Sequence, residues 1–511
     1  MSERVENFTI GLSEDLAGKL VEAGYLFSAI RILRKSVDAR RKTPHWVYTL
    51  DLLNDGEPIA NPLADLKKIS GQSFTRPIIV GAGPAGLFAA LRLAERGLPP
   101  ILLERGSKTV KRLLGITQYW RYGKLDPENN VCFGEGGAGL YSDGKLITRI
   151  RSEHIPYVMD RFIKFGAPEE IRYLANPHVG SDQIRKLIVP LREYLQALGT
   201  EIHFDAKVEN LLLTDGRIQG LQLKDGREFK SDHVVLATGH SASDLMWNLP
   251  KWGVQVEGKS FALGLRIEHP QTLVNKIQYG DFWNHPELGA ANYKITDHDE
   301  KTGVGVYSFC MCPGGYVVAS SAEANRMVSN GMSNYKRNSP YANAGIVISI
   351  DHQKMFGRDV FGGMRLRDEL EQKSFEISNA VGKGKEVPVQ RVVDFLDKKV
   401  GTALPSSSPS GAVPGALHKI LPASLQDHFL SSLHRLHRKM PGFLSPEAQF
   451  HAIESRTSCP IRVTRHEDSL ESLSHRGLYP TGEGAGYAGG ITSAAVDGIR
   501  VAESILRQLD S

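Results

Sequence analysis

Cysteine is scarce in this sequence: Cys132, Cys310, Cys312 and Cys459 are the only four in 511 residues. That number excludes a disulfide-stapled secreted scaffold and points to a reducing compartment, the cytoplasm. Long hydrophobic runs are missing too. No uninterrupted apolar stretch approaches the ~18 residues of a membrane span, so no membrane association is expected. The opening stretch MSERVENFTIGLSEDLAGKL carries charges from the start and lacks the apolar core of a signal peptide. Neither sign of charge dominates. The 62 basic and 57 acidic residues leave a formal net charge of +5, too small and dispersed to argue for nucleic acid. There is no internal repeat, no metal site is expected, and no low-complexity tract is longer than PSSSPSG near Ser406.

The chain exceeds what one hydrophobic core usually serves, so two or three domains are expected. Its 41% hydrophobic and 23% charged residues are ordinary for a globular protein. Residues 1–72 read as a small α/β domain. NFTIGL is a strand, SEDLAGKLVEAG a helix capped by Ser13, and SAIRILRKSVDAR with HWVYTLDLL a hairpin around RKTP. A polar, proline-bearing linker follows. Residues 73–250 read as strand, helix, strand, further helix and a β-meander with turns at Asp215-Gly216 and Asp225-Gly226. Residues 251–440 mix strands and helices, and 441–511 return to a strand, a glycine loop and a helix.

The stretch RPIIVGAGPAGLFAALRLAERGLPPILLERGSK, from Arg76, carries the most chemistry. Gly81, Gly83 and Gly86 form G-x-G-x-x-G between a strand and a helix. Gly81 permits a tight turn, Gly83 admits a pyrophosphate to the backbone, and Gly86 lets helix and strand pack closely. Pro84 and Ala85 open the helix, whose free N–H groups and dipole favour phosphate. Glu104 ends the next strand, 23 residues after Gly81, where a carboxylate can accept from ribose hydroxyls; Arg105 adjoins it. An acid there argues against the 2′-phosphate of NADP in this site. The spacing predicts a dinucleotide site.

Two further segments favour FAD over NAD. HVVLATGHSA is an apolar strand ending in Thr238-Gly239 after the meander, as in the FAD domain of two-dinucleotide flavoproteins. GLYPTGEGAGYAGGI supplies a strand, then Gly482, Glu483, Gly489, Gly490 and Ile491 at a glycine loop opening a helix. In such flavoproteins this element closes over the ribityl chain and the pyrimidine end of the flavin. A doubly wound NAD dehydrogenase would not need the returning segment.

With NNVCFGEGGAGLYSDGKL, FALGLRIEHPQ, FCMCPGGYVVASSAEANRMVSNGMS and IESRTSCPIRV, the chain resembles, over nearly its whole length, the bacterial and plastid FAD-dependent dehydrogenases. These are NAD(P)/FAD-dependent oxidoreductases of the two-dinucleotide-binding superfamily. The resemblance implies FAD and an α/β fold: a Rossmann-type FAD-binding domain with an inserted α+β cap and a small N-terminal α/β domain. It implies no substrate. Serine is expected where Cys459 stands, which puts any hydroxyl-dependent role there in doubt.

In GEGGAG followed by YSDGK, the crowded glycines suit close approach to a flavin, with Gly136, Gly137, Ala138 and Ser142 as cofactor contacts. Lys145 is a candidate for the flavin N1–C2=O locus, or else a surface lysine. Arg456 suits a substrate carboxylate or a structural carboxylate partner. His178, Glu268 and His269 are candidate proton handlers, each with a packed or exposed side chain as the plainer alternative. Cys310 and Cys312 alternate along an apparent strand and read as core residues, lacking the helix-terminal C-x-x-C setting of redox thiols. The run Arg31, Arg34, Lys35, Arg40, Arg41, Lys42, with Trp46 and Tyr48, allows an RNA reading or a solvated strand face. The expectation is an FAD-dependent oxidoreductase moving two electrons to or from a small organic substrate. NAD(P)H or another electron partner would bind without a second G-x-G-x-x-G. A flavin monooxygenase and an RNA- or protein-directed flavoprotein remain as alternatives.

Overall fold

The computed structural model describes residues 3–40, 42–57, 66–69 and 75–510. Most of the expected linker, and Arg41 of the basic run, lie outside them. At the N-terminal end, strands Glu3–Gly11, His45–Leu53 and Ala29–Asp38 form an antiparallel sheet with His45–Leu53 in the middle. Helix Leu16–Glu22 packs on it through Leu20, against Leu50 and Tyr48. The cap is Asp15, whose Oδ2 accepts from the Gly18 N–H at 2.6 Å; Ser13, the expected cap, lies two residues too early, in the left-handed turn before it.

The second sheet met along the chain is Rossmann-type: five parallel strands in the order Leu478–Pro480, Val234–Leu236, Ile78–Val80, Ile101–Leu103, Glu201–His203. The central three are apolar throughout because helices cover both faces of a parallel sheet. Helix Pro84–Glu95 follows the central strand and helix Ile491–Asp510 follows the last one. These two helices touch so closely that a Cβ on Gly498 would collide with the Ala85 carbonyl. The meander is an antiparallel trio, Val208–Thr214, Arg217–Leu223 and Glu228–Lys230. Its first turn uses positive φ at Asp215 (49°) and Gly216 (70°), as two-residue hairpins require.

A seven-stranded mixed sheet makes the other large core, in the order Thr296–His298, Gly305–Cys312, Tyr341–Ile350, Phe261–Pro270, Gln449–Glu454, Val387–Arg391, Ala412–Pro414. Helix Ala423–Lys439 buries Phe429 and Leu433 in that core with Phe450 and Ile346. Strand Gln449–Glu454 therefore sits in this sheet, beyond residue 441 where the sequence reading returned the chain to the FAD-binding unit. The chain re-enters the parallel sheet at Leu478–Pro480. Among the described residues no helix is long and apolar enough to cross a membrane.

Candidate functional site

Ligands of open parallel sheets bind outside the carboxyl ends of the strands, where strand order reverses. Here the strands ending at Val80, Leu103, Leu236 and Pro480 open into a cleft of about 290 Å³, closed on one side by Phe309 and Cys310 of the seven-stranded sheet, by Asn330 of the separate strand Ser329–Ser333, and by Arg456 and Thr457. Segments some 400 residues apart in sequence thus share one wall.

The glycine loops differ in what they do. Gly81, with φ +105°, lies against Ala237, and Gly86 lies against the Gly81 carbonyl; a side chain at either would collide with backbone. Gly83 faces the cleft, with the Cα of Gly137 as its nearest neighbour, 3.8 Å from where a Cβ would stand. Helix Pro84–Glu95 begins at Gly83 with no side chain capping its first N–H groups, leaving them free for an anion. Gly137 (φ +66°), Ala138 and Ser142 reach the cleft from the opposite loop, and Thr238, Gly239, Gly482, Gly489, Gly490 and Ile491 complete the wall. Gly86 and Gly136 do not line it. Gly136 instead donates to the Ala82 carbonyl at 2.9 Å and pins the two loops together.

Glu104 does more than its position implied. Its carboxylate accepts the N–H of Ala82 (2.8 Å), Gly106 (2.9 Å) and Gly134 (2.9 Å), tying three loops at the cleft edge. Arg105 also borders the cleft, but its guanidinium is engaged by Glu128 at 2.7 Å and by Asp244 at 3.0 Å, and lies over the Phe133 ring. The sequence reading missed Arg112. Wholly buried on helix Thr109–Tyr122, it donates to the carbonyls of Asn130, Val131, Gly134, Glu135 and Gly137, and so shapes the GEGGAG loop. No motif marks it; it is one arginine on a mixed helix.

Among the expected reactive residues, Lys145 and Arg456 line the cleft and His178 does not. Lys145 Nζ donates to the Met311 carbonyl. Arg456 is bidentate to Glu371 at 2.9 and 2.7 Å, a pair buried on both sides, with its Nη1 left over. His178 stacks on Tyr335 with Nε2 at 2.9 Å from the Tyr335 carbonyl, and its backbone bridges Lys145, so it serves the loop behind the wall. Glu268 and His269 also lie elsewhere: Glu268 accepts from Ser407, and His269 Nε2 meets the Phe443 carbonyl at 2.8 Å. The imidazole that does line the cleft is His240, which burial beside Arg456 and Arg367 holds down to about 3, hence neutral near pH 7.

The C-x-C pair is not the flat strand that alternation suggested. The ladder slips between Phe309 and Cys312, Cys310 takes φ +41°, and Cys310 reaches the cleft while Cys312 stays in the core. Cys459 is buried, with its thiol 3.5 Å from the Gly484 carbonyl and its N–H donating to Glu483. In the basic run, Lys35 covers Trp46 at 4.2 Å, Trp46 Nε1 donates to Glu287, and Tyr48 is a core residue.

The chemistry of the cleft wall fits a polar cofactor such as FAD. Among the described residues, Glu483 Oε2 and Arg456 Nη1 are buried on its wall with no hydrogen-bond partner, and Gly239 has nothing within 4 Å of where a Cβ would stand. Unpaired buried polar atoms are costly, so a polar ligand is expected at such a wall. The parallel sheet, uncapped helix and glycine-lined cleft define a nucleotide-binding flavoprotein fold.

Residues 75–265 match the family described as pyridine nucleotide-disulphide oxidoreductase, and residues 260–457 match FAD-dependent protein, C-terminal domain-like. A protein of Clostridium beijerinckii, described as an uncharacterized protein, is 39% identical over 535 residues, covering 100% of this chain and 99% of its own length. The thiamine thiazole synthase of Pyrobaculum aerophilum is 27% identical over 219 residues, 40% of this chain and 71% of that protein. A crystal structure of CtdE in complex with FAD superposes with a TM-score of 0.32 at 13% identity, covering 86% of this chain and 85% of that one. The chain belongs to the family of FAD-dependent oxidoreductases that the first three of these matches mark out, and its cofactor is FAD. Cys132 is the sole cysteine within residues 75–265, so no cysteine pair lies in the segment resembling the disulphide oxidoreductases.

Proposed function

We propose that this chain holds FAD along the cleft and passes two electrons, as hydride, between the flavin and a small organic molecule admitted beside the Phe309–Cys310 wall. The carrying observation is the convergence on one cleft of three glycine loops, at Gly81–Gly83, Gly137–Ala138 and Gly482–Gly490, together with an uncapped helix start. Bound FAD supplies the two-electron exchange at its ring system. The chain's own residues position and shield it. Gly83 and the first N–H groups of helix Pro84–Glu95 receive the pyrophosphate, the acceptor capacity left on Glu104 suits a ribose hydroxyl, and Glu483 Oε2 takes a hydroxyl donor.

Lys145 and Arg456 give the wall positive charge, favouring an anionic substrate group. Arg456 has one guanidinium nitrogen free for it after Glu371 has taken the other two. Neutral His240 serves there as a hydrogen-bonding group rather than a cation. With no second G-x-G-x-x-G, a nicotinamide donor would reach the cleft without a Rossmann unit of its own.

The test is a visible spectrum of the purified protein followed by anaerobic addition of NADH or NADPH. Rapid bleaching assigns a nicotinamide-fed reductase. Flavin that stays oxidised assigns a dehydrogenase fed by an organic donor, which a screen of carboxylate-bearing donors would then identify. No flavin even after reconstitution would overturn the reading.

A further inference from the structure

FAD binding does not account for the thiol pair at the cleft wall, of which only Cys310 lines the cleft. Cys310 borders the cleft and Cys312 is buried directly behind it. In a flat strand the two backbones would stand about 6.6 Å apart, near the upper limit for a disulfide. Here the strand is not flat: a bulge interrupts the ladder and Cys310 takes a left-handed φ. The Cys312 side chain curls back, with Sγ 3.3 Å from the Cys310 carbonyl oxygen.

Cations surround the pair. Lys145 Nζ donates to the carbonyl of Met311, between the two cysteines, and buried Arg266 donates to the Cys310 carbonyl at 3.2 Å. Gly331 leaves room for both groups: a Cβ there would crowd Arg266 and lie 2.9 Å from Cys312 Sγ. The charged groups facing the pair are Lys145, Arg266, Glu454 (ion-paired to Arg266 at 2.8 Å) and Asp143. The Cys312 hydrogen bond, followed by Lys145 and Arg266, holds the Cys310 thiol below its ordinary range against burial. Cys312 is pushed above its own range. A partly accessible low-range thiol on the cleft lining, in front of a buried protonated one, is the arrangement of an attacking and a resolving cysteine.

We propose that Cys310 and Cys312 form a thiol–disulfide exchange pair whose substrate is a small disulfide entering the cleft. The Cys310 thiolate attacks one sulfur of R–S–S–R, breaking that bond, forming a mixed disulfide and releasing RS⁻. Cys312 then attacks the Cys310 sulfur. The second R–S group leaves and carries away the Cys312 proton as RSH, and a Cys310–Cys312 disulfide remains. Two protein thiols are oxidised and one disulfide is reduced, with no electrons left over. This step goes beyond the flavin reading and does not depend on it, because its readout is the mass of the two cysteines.

The test exposes the reduced, FAD-loaded chain to 2-hydroxyethyl disulfide, quenches in acid and maps the peptides by mass. The wild type should lose two hydrogens at the 310–312 pair and retain no adduct. Cys312→Ser should retain one hydroxyethylthio group on Cys310, and Cys310→Ser should leave Cys312 unmodified. In Cys312→Ser, adduct formation should run at pH values below those a free thiol needs, and adding Lys145→Met should move that profile upward. Flavin absorbance reports whether each variant has folded. A wild type that keeps the adduct, leaves both thiols free, or reacts first at Cys312 overturns the proposal.

Discussion

Glu104→Gln tests whether one carboxylate organises the cofactor cleft. A carboxylate offers about four acceptor positions, and here three are taken by the N–H groups of Ala82, Gly106 and Gly134. The amide replaces one oxygen with an NH₂. Placed at the Oε1 position, that NH₂ would face two donors, so the less costly arrangement puts it at Oε2, against the Ala82 N–H. One charge-assisted bond is then lost and a buried N–H goes unpaired, a cost of about 1.5–3 kcal/mol. The spare acceptor facing the cleft disappears as well. Because Ala82 lies between Gly81 and Gly83, the loss should appear as about 10- to 150-fold weaker FAD binding. Flavin fluorescence quenching on titration into apoprotein measures it. A second readout separates two roles. If Glu104 only touched ribose, the thermal midpoint of the apoprotein would not move; if it ties the loops, that midpoint falls too. An apoprotein midpoint unchanged and an FAD affinity within about threefold of wild type would refute the reasoning.

Arg112→Lys should cost FAD retention without touching the cofactor's own contacts. A single ammonium cannot span the carbonyls of Asn130, Val131, Gly134, Glu135 and Gly137 as a planar guanidinium does. Gel filtration of the loaded variant should separate flavin from protein, and retention equal to wild type would show that the GEGGAG loop holds its shape unaided. Glu483→Gln should change how the apoprotein's stability depends on pH. Burial raises the Glu483 carboxyl above its ordinary value. Its stabilising contribution is therefore complete below the unfolded-state value, about 4.3, and is lost as pH rises through the higher folded-state value. The variant should gain on wild type in thermal midpoint as pH rises from about 4.5 to 8, and a constant difference across that range would contradict it.

How far the site was legible depended on what kind of constraint each residue carries. Gly81 and Gly86 were readable because their requirement is a backbone one: positive φ at the first, contact with a carbonyl at the second, and no other residue meets either. The parallel strands were readable because double-sided burial leaves only apolar residues in Ile78–Val80 and Val234–Leu236. Side-chain partners gave no such signal. Arg105 is occupied by Glu128 and Asp244, and His178 by Tyr335, partners up to 157 residues away that no local pattern announces. The Asp15 cap was missed because Ser13 is an equally good capping residue by type and only the turn geometry distinguishes them.

Cys310 was misplaced for a further reason: period-two alternation assumes an unbroken ladder. Strand Gly305–Cys312 pairs regularly with Tyr341–Ile350 from Val306 to Phe309, and the slip comes only at the next residue. A bulge inserts one residue and re-aims a side chain, and nothing in the residues FCMC distinguishes it from a flat strand. What sets it is the surroundings: Lys145 holding the Met311 carbonyl, Arg266 holding that of Cys310, and Gly331 clearing space behind. Those three residues come from three separate segments. Cys310, which lines the cleft, is therefore a residue that sequence periodicity assigned to the core.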